Sequence, residues 1–322
     1  MLQSEIAAIE FRLGSSRDGP DEWQSDNPDW DISSIVQKTG IWQTWVARPE
    51  ETALDLAEDA CGKLLDRGAR ADVDALILVT QTPDYHLPTS ACLLQSRLNL
   101  PQSAMCFDVN LGCSGFIYGL ALASSLLESH LRRNVLLVCA DTYNKLIDPR
   151  DRTTRTVFSD AAAATLIRPA VGLGSVGPFS FGTDGSRFES LAVYDGAARS
   201  SYEPGSKPRL RMDGAGVFMF TTSTVVNSIR EFMQQSSVEV DAFVFHQASK
   251  LVIDHLTKNL GIPEERTVRN LDRVGNTVSA SIPIALKQAH LDGQVRSGDT
   301  LLLAGFGVGL SWGTCLLGWG ME

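Results

Sequence analysis

The sequence predicts an α/β protein made of two similar halves, residues 1–170 and 171–322. Apolar runs of strand length alternate with segments whose apolar residues recur at helical spacing, which is typical of an α/β fold. Segments of the first half also return in the same order in the second half, so the chain contains an internal duplication. The matching pairs are VDALILVT (73–80) with VDAFVFHQ (240–247), FDVNLGCSGFIYGLAL (107–122) with LDRVGNTVSASIPIAL (271–286), and NVLLVCA (134–140) with TLLLAGF (300–306).

Hydrophobic periodicity assigns most of the remaining chain to regular elements. The predicted elements are helices at 50–65, 91–98 and 216–234, a helix after Cys113, and strands at 73–80, 134–140, 161–167 and 239–247. Two stretches rich in Gly, Pro, Ser and Asp lack this periodicity. We expect residues 14–31 to form a surface loop whose Trp23 and Trp30 cover the core, and residues 170–215 to form a hinge region and a long loop.

Composition excludes several classes of protein. At 322 residues with 43% hydrophobic side chains, the chain can bury a large core, and its net charge of −10 argues against nucleic-acid and anionic-membrane partners. No apolar run is long enough to span a membrane and the first residues lack a signal-peptide pattern, so we expect a cytoplasmic protein. The six cysteines include no C-x-x-C pair, which indicates reduced thiols and no metal site.

Cys113 is the candidate nucleophile. It lies at the bend between a buried strand and a buried helix, where unpaired amides and the helix dipole stabilise a thiolate and can also bind an oxyanion. The alternative is that Cys113 is one more small buried residue of the core, as most cysteines in such surroundings are. Its position alone does not separate these two interpretations.

His246 and Asn276 favour the functional interpretation. His246 closes the apolar strand DAFVFH where polar residues begin, although a histidine at a strand end is more often structural. Gly275-Asn276 stands in the second half where Gly112-Cys113 stands in the first, so the duplication places Cys113 and Asn276 at equivalent helix starts. A cysteine, a histidine and an asparagine on three element ends are the groups that nucleophilic thiol chemistry needs.

With these segments identified, the chain resembles the β-ketoacyl-acyl carrier protein synthase III family of the thiolase superfamily. The resemblance covers nearly the whole length, and several motifs in one order make it specific. The motifs are KTGI (38–41), ETALDLAEDA (51–60), TPDYHLPTSACLLQSRL (82–98), DVNLGCSGFIYGL (108–120), RMDGAGVFMF (211–220), FHQAS (245–249), GNTVSASIPIAL (275–286) and GFGVGLSWG (305–313). The last of these leads into a strand and not into a helix, which excludes a dinucleotide-binding motif.

The resemblance implies a thiolase-like fold of five layers (αβαβα) and an obligate homodimer. It implies that Cys113, His246 and Asn276 are catalytic, and that the backbone amides of Cys113 and Val308 bind the oxyanion. Cys113 would take an acyl group from a thioester, and a malonyl thioester would then lose CO2 and condense with it. The substrates would be thioesters of coenzyme A or acyl carrier protein, with no further cofactor.

The chain also departs from the family pattern around the carrier-binding region. Members of the family usually have a Trp where this chain has Ser34, shortly before T-G-I, and an Arg where it has Lys38. Those residues bind the adenine end of coenzyme A, so part of the adenine-binding group is missing here. Leu251 replaces the Arg that usually follows the histidine. The residues expected to contact substrate or carrier are Arg152, Lys38, Phe158, Leu87, Ser249 and Lys250, and those expected to form a basic docking patch are Arg209, Arg211, Lys250 and Lys258.

Three functions remain open at this point. The first is decarboxylative condensation in fatty-acid or polyketide initiation, and the second is transfer of the Cys113 acyl group to an oxygen or nitrogen of a sugar, an amine or a secondary metabolite, with His246 as general base. The third, a catalytically silent binding subunit, is disfavoured because such a subunit has no need of all three residues. In a homodimer we expect the TPDYHLPTSA loop, with Leu87, to line the partner's pocket. The sequence fixes neither the acyl chain length nor the acceptor.

Overall fold

The computed structural model describes residues 3–65, 67–198 and 207–321. Within these residues the chain forms thirteen strands and eleven α-helices. The strands are β1 (Ser4–Leu13), β2 (Ser16–Asp18), β3 (Thr44–Val46), β4 (Ala75–Val79), β5 (Met105–Val109), β6 (Val135–Asp141), β7 (Ala161–Pro169), β8 (Ser175–Thr183), β9 (Leu191–Val193), β10 (Leu210–Met212), β11 (Ala242–Phe245), β12 (Thr300–Gly307) and β13 (Ser311–Gly318). The helices are α1 (Pro20–Asp26), α2 (Ile32–Thr39), α3 (Ala53–Leu64), α4 (Arg67–Asp72), α5 (Ser90–Arg97), α6 (Gly115–Glu128), α7 (Gly214–Phe220), α8 (Val226–Ser236), α9 (Lys250–Leu260), α10 (Leu271–Val274) and α11 (Ser281–Leu291).

Two mixed sheets share one topology. The first has the order β1-β7-β6-β4-β5, with antiparallel pairs at β1-β7 and β7-β6 and parallel pairs at β6-β4 and β4-β5. The second has the order β8-β13-β12-β11, with two antiparallel pairs followed by a parallel one. The counterpart of β5 is reduced to a single parallel bridge between Phe243 and Thr267. The repeated order and directions confirm the duplication inferred from the sequence.

The elements stack in five layers. One hydrophobic cluster joins the inner faces of both sheets to the central helices α6 and α11, a second packs α3 and α5 on the outside of the first sheet, and a third packs α8 and α9 on the outside of the second. Strands β4 and β6 are buried at every residue because helices cover both faces of the sheet, which is why they read as continuous apolar runs. This arrangement confirms the thiolase-like fold.

Three local predictions need correction. Residues 170–215 are not only hinge and loop, because β8 pairs with β13 along its length; Gly177 and Pro178 interrupt its pattern and hide the strand. The part of that prediction at 199–206 lies outside the described residues. Residues 14–31 contain β2 and α1, which begins with Pro20 followed by two acidic residues. The helix predicted at 216–234 is helical without a break, but a π-helical turn at Thr221–Val225 separates α7 from α8.

The tryptophans of the 14–31 segment have the expected role. Trp23 is fully buried and Trp30 packs against the same cluster on the outer side of the second sheet. The chain passes from the first sheet to the second between Pro169 and Ser175. The exact domain boundary at 170/171 stays a prediction. Across the described part of the chain, no helix combines the length and the apolar character that a membrane span requires.

Candidate active site

Cys113 lies where the two halves meet. It is two residues ahead of α6 and is only 4% exposed. Two glycines of β12 allow this strand to lie close to Cys113. A Cβ at Gly305 would be 2.7 Å from the Cys113 carbonyl oxygen, and a Cβ at Gly307 would be 2.9 Å from the Cys113 Sγ. The GFGVG motif therefore leaves room for the cysteine of the other half, and it turns into β13 as a hairpin, as the sequence indicated.

The backbone amides predicted for the oxyanion site, those of Cys113 and Val308, affect the thiol. Hydrogen bonds from both N–H groups lower the pKa of the Cys113 thiol. Burial has the larger effect, and together with the charge of Asp141 it raises the pKa to about 12. The resting thiol is therefore protonated. The amides favour the thiolate, as the sequence indicated, but the cost of burying a charge is larger. The oxyanion role itself stays a prediction.

Asn276 is positioned by the first half of the chain. Its N–H donates to the carbonyl of Val157, its carbonyl accepts from the N–H of Ser159, and these bonds form an isolated bridge beside Phe158. Its side-chain Oδ1 accepts from the N–H of Val278 at 3.0 Å. Because the oxygen of the amide is engaged, its NH2 group is left as the donor that can meet a substrate.

His246 is buried at the end of β11. Its backbone N–H donates to Ala304 of β12, and its ring meets Phe306 edge-on with 5.7 Å between centroids. Nδ1 lies 2.7 Å from the Oγ of Ser281, the first residue of α11. Burial lowers the pKa of His246 to about 3, so the ring is neutral at ordinary pH. The sequence analysis missed Ser281, which fixes the ring from a position 35 residues away.

A cavity of about 1020 Å³ opens beside the cysteine. Tyr143, Leu210 and Val308 line it and also belong to the hydrophobic cluster that contains Cys113. The Tyr143 hydroxyl donates to Gln81 Oε1 at 2.5 Å, and a Cβ at Gly112 would lie within 3.3 Å of both side chains. The side chains of Gln81 and Tyr143, which line the cavity, therefore lie against Gly112, the residue next to the nucleophile.

The predicted site residues divide into two groups. Phe158 and Val308 lie in or against the cluster around Cys113, together with Asn276 through its bridge to Phe158. The residues expected to contact the carrier lie elsewhere and do not line the described cavity. They are Lys38 and Lys250, exposed on α2 and α9, Arg152, exposed in the loop before β7, Ser249, the N-cap of α9, and Leu87, at the tip of the loop before α5.

The predicted basic patch is only partly available. Lys250 is paired with Asp254 at 2.5 Å, Arg209 donates to the carbonyl of Ile147, and Arg211 lies over the ring of Tyr194. The Lys250 pair has the i,i+4 spacing on a helix, so the sequence contained the signal for it.

The fold and this site together define a thiolase-like protein with a buried thiol at the junction of its halves. The model of the 3-oxoacyl-[acyl-carrier-protein] synthase III family matches residues 107–185, and the model of its C-terminal region matches residues 233–319. The first match contains Cys113, and the second contains both His246 and Asn276.

Individual relatives agree with the family models. A β-ketoacyl-[acyl-carrier-protein] synthase III of Clostridium perfringens is 34% identical over 95% of this chain and 93% of its own. A crystal structure of a 3-oxoacyl-(acyl-carrier-protein) synthase III has a TM-score of 0.92 at 40% identity and covers 98% of this chain and 100% of its own. The priming β-ketosynthase of the R1128 polyketide pathway has a TM-score of 0.91 at 29% identity over 99% of this chain and 97% of its own. The chain belongs to the β-ketoacyl-acyl carrier protein synthase III family and is an enzyme of that type.

Proposed function

We propose that this enzyme transfers an acyl group from a thioester to Cys113 and then condenses it with a malonyl thioester, releasing CO2. The observation that carries the proposal is the buried Cys113 thiol held against two backbone amides, with Asn276 and His246 presented from the second half. Acyl and malonyl thioesters supply all the groups this reaction needs, so the proposal includes no other cofactor.

In the first half-reaction Cys113 Sγ attacks the thioester carbonyl. The carbon–sulfur bond to the carrier breaks, and the thiol proton of Cys113 leaves on the carrier thiol. The amides of Cys113 and Val308 stabilise the oxygen that becomes negative in the tetrahedral intermediate. Preorganised amides of this kind are most effective in a site closed to water, which matches the burial of Cys113.

In the second half-reaction His246 and Asn276 stabilise the enolate. The malonyl thioester loses CO2, its α-carbon attacks the acyl carbonyl, and Cys113 leaves as a thiolate that takes a proton from solvent. With Ser281 Oγ–H donating to Nδ1 of His246, the ring proton lies on Nε2, and Val278 leaves the Asn276 NH2 group as a donor. Two neutral donors then meet the thioester oxygen where the charge develops.

A homodimer and a carrier-protein donor belong to the same proposal. Leu87 is 86% and Tyr85 58% exposed in the loop beside the cavity, which supports a second copy of the chain covering them. The absence of the usual Trp at Ser34 supports acyl carrier protein over coenzyme A as donor. The cytoplasmic location stays a prediction.

The test is intact-protein mass spectrometry with acyl thioesters, followed by malonyl thioester with CO2 measured. We expect one acyl adduct in the wild type and in the Cys92→Ala control, which removes an exposed thiol, and none in Cys113→Ala. Asn276→Ala should acylate normally and release CO2 about 10²–10³-fold more slowly. An adduct on Cys113→Ala would contradict the nucleophile, and acyl transfer to an oxygen or nitrogen acceptor without CO2 would establish the alternative function.

A further inference from the structure

A buried acid, Asp141, lies between the two halves and has no part in the reaction described above. It ends β6, is fully buried, and accepts hydrogen bonds from the N–H of Gln81 at 2.8 Å and from the Oγ–H of Ser279 at 2.6 Å. Ser279 is 138 residues away in the chain. A buried carboxyl is costly unless it is hydrogen-bonded, and one of these bonds comes from the second half.

The bond to Ser279 holds the segment that carries Asn276. Ser279 belongs to the 3₁₀ turn Val278–Ala280, and the N–H of Val278 is the donor that orients the Asn276 amide. Val278 has a φ of +53°, which is unfavourable for a β-branched residue, so the turn needs contacts that hold it in place. Ser279 also lies against the first turn of α6, since a Cβ at Gly115 would be 3.7 Å from that of Ser279.

We propose that Asp141 is a positioning residue that holds the Asn276 segment through its hydrogen bond with Ser279. The effect on catalysis rests on the proposed function, because Asn276 acts in the second half-reaction.

The test uses Ser279→Ala, which removes the hydrogen bond and keeps the Asp141 carboxyl. We expect acylation of Cys113 within about twofold of the wild type, and CO2 release from malonyl thioester at least about tenfold slower, because Asn276 is no longer held. Amide hydrogen exchange at 276–280 should also be faster in the variant than in the wild type. Unchanged CO2 release and unchanged exchange in a folded Ser279→Ala protein would overturn the positioning role. If the wild type itself released no CO2, the proposed function would fail, and the exchange result would still decide the positioning role.

Discussion

Gly307→Ala tests whether the second half must leave space for Cys113. An alanine Cβ at this position would lie 2.9 Å from both the Cβ and the Sγ of Cys113. Non-bonded carbon atoms prefer separations of about 3.5–4.0 Å, so one side has to move by about 0.6–1 Å. Cys113 has little room to shift along β12, because its carbonyl oxygen lies so near Gly305 that an added Cβ there would be 2.7 Å away. Gly307 is not in a left-handed conformation, so the effect is steric and not a backbone effect.

The expected losses of acylation rate and of folding stability follow from this displacement. A misplacement of about 1 Å of a reacting group costs on the order of 10²-fold in rate, which corresponds to about 2.7 kcal/mol of transition-state stabilisation. Overpacking of the buried junction should also lower the free energy of unfolding by about 1–3 kcal/mol. We therefore expect slower acylation of Cys113 in a protein that still folds.

The assay is single-turnover acylation of Cys113, followed by intact-protein mass spectrometry. Gly214→Ala is the control, because a Cβ there meets open space and the backbone is not left-handed. The control should acylate at the wild-type rate. A folded Gly307→Ala protein that acylates as fast as the control would show that Sγ has more freedom than the structure indicates, and the argument for its fixed position would be refuted.

Three further predictions concern other parts of the molecule. Gly62→Ala should stabilise α3 by about 0.5–1 kcal/mol in urea unfolding, because a Cβ there meets open space inside a helix, and no gain would contradict this. Leu87→Asp should yield inactive monomers in sedimentation, whereas an active monomer or an intact dimer would exclude the proposed interface. When the same acyl group is supplied on both carriers, kcat/KM should be higher from acyl carrier protein than from coenzyme A. Arg152→Glu should impair only the reaction with coenzyme A. A higher kcat/KM from coenzyme A would show that Ser34 does not weaken adenine binding.

The duplication made the centre of the site predictable. Cys113 and Asn276 were found because equal positions in two repeated α/β units come together at the junction, and His246 because a strand pattern ends at it. The repeated sheet topology confirms the duplication on which this inference rests, and the catalytic roles stay predictions. The duplication could not reveal β8, because Gly177 and Pro178 interrupt the alternation of apolar and polar residues and pairing with β13 overrides the local pattern.

The supporting residues of the site were not predictable in the same way. Ser281 and Ser279 are small polar residues inside an apolar segment, and their partners His246 and Asp141 are 35 and 138 residues away. No periodicity or spacing marks such contacts. Hydrogen bonds that hold a site in place are therefore the part of this protein that needed the three-dimensional structure.

The protonation state of Cys113 changes how the helix start should be understood. A cysteine ahead of a helix suggests a nucleophile that is already ionised, but here burial keeps the thiol neutral even though two amides face it. In the proposed mechanism those amides act mainly on the acyl carbonyl oxygen, where charge appears only during reaction. The thiol proton also has to leave in the same step in which the carrier thiol departs. Activation of Cys113 is consequently tied to the arrival of a thioester, which limits reaction of the resting thiol with other electrophiles.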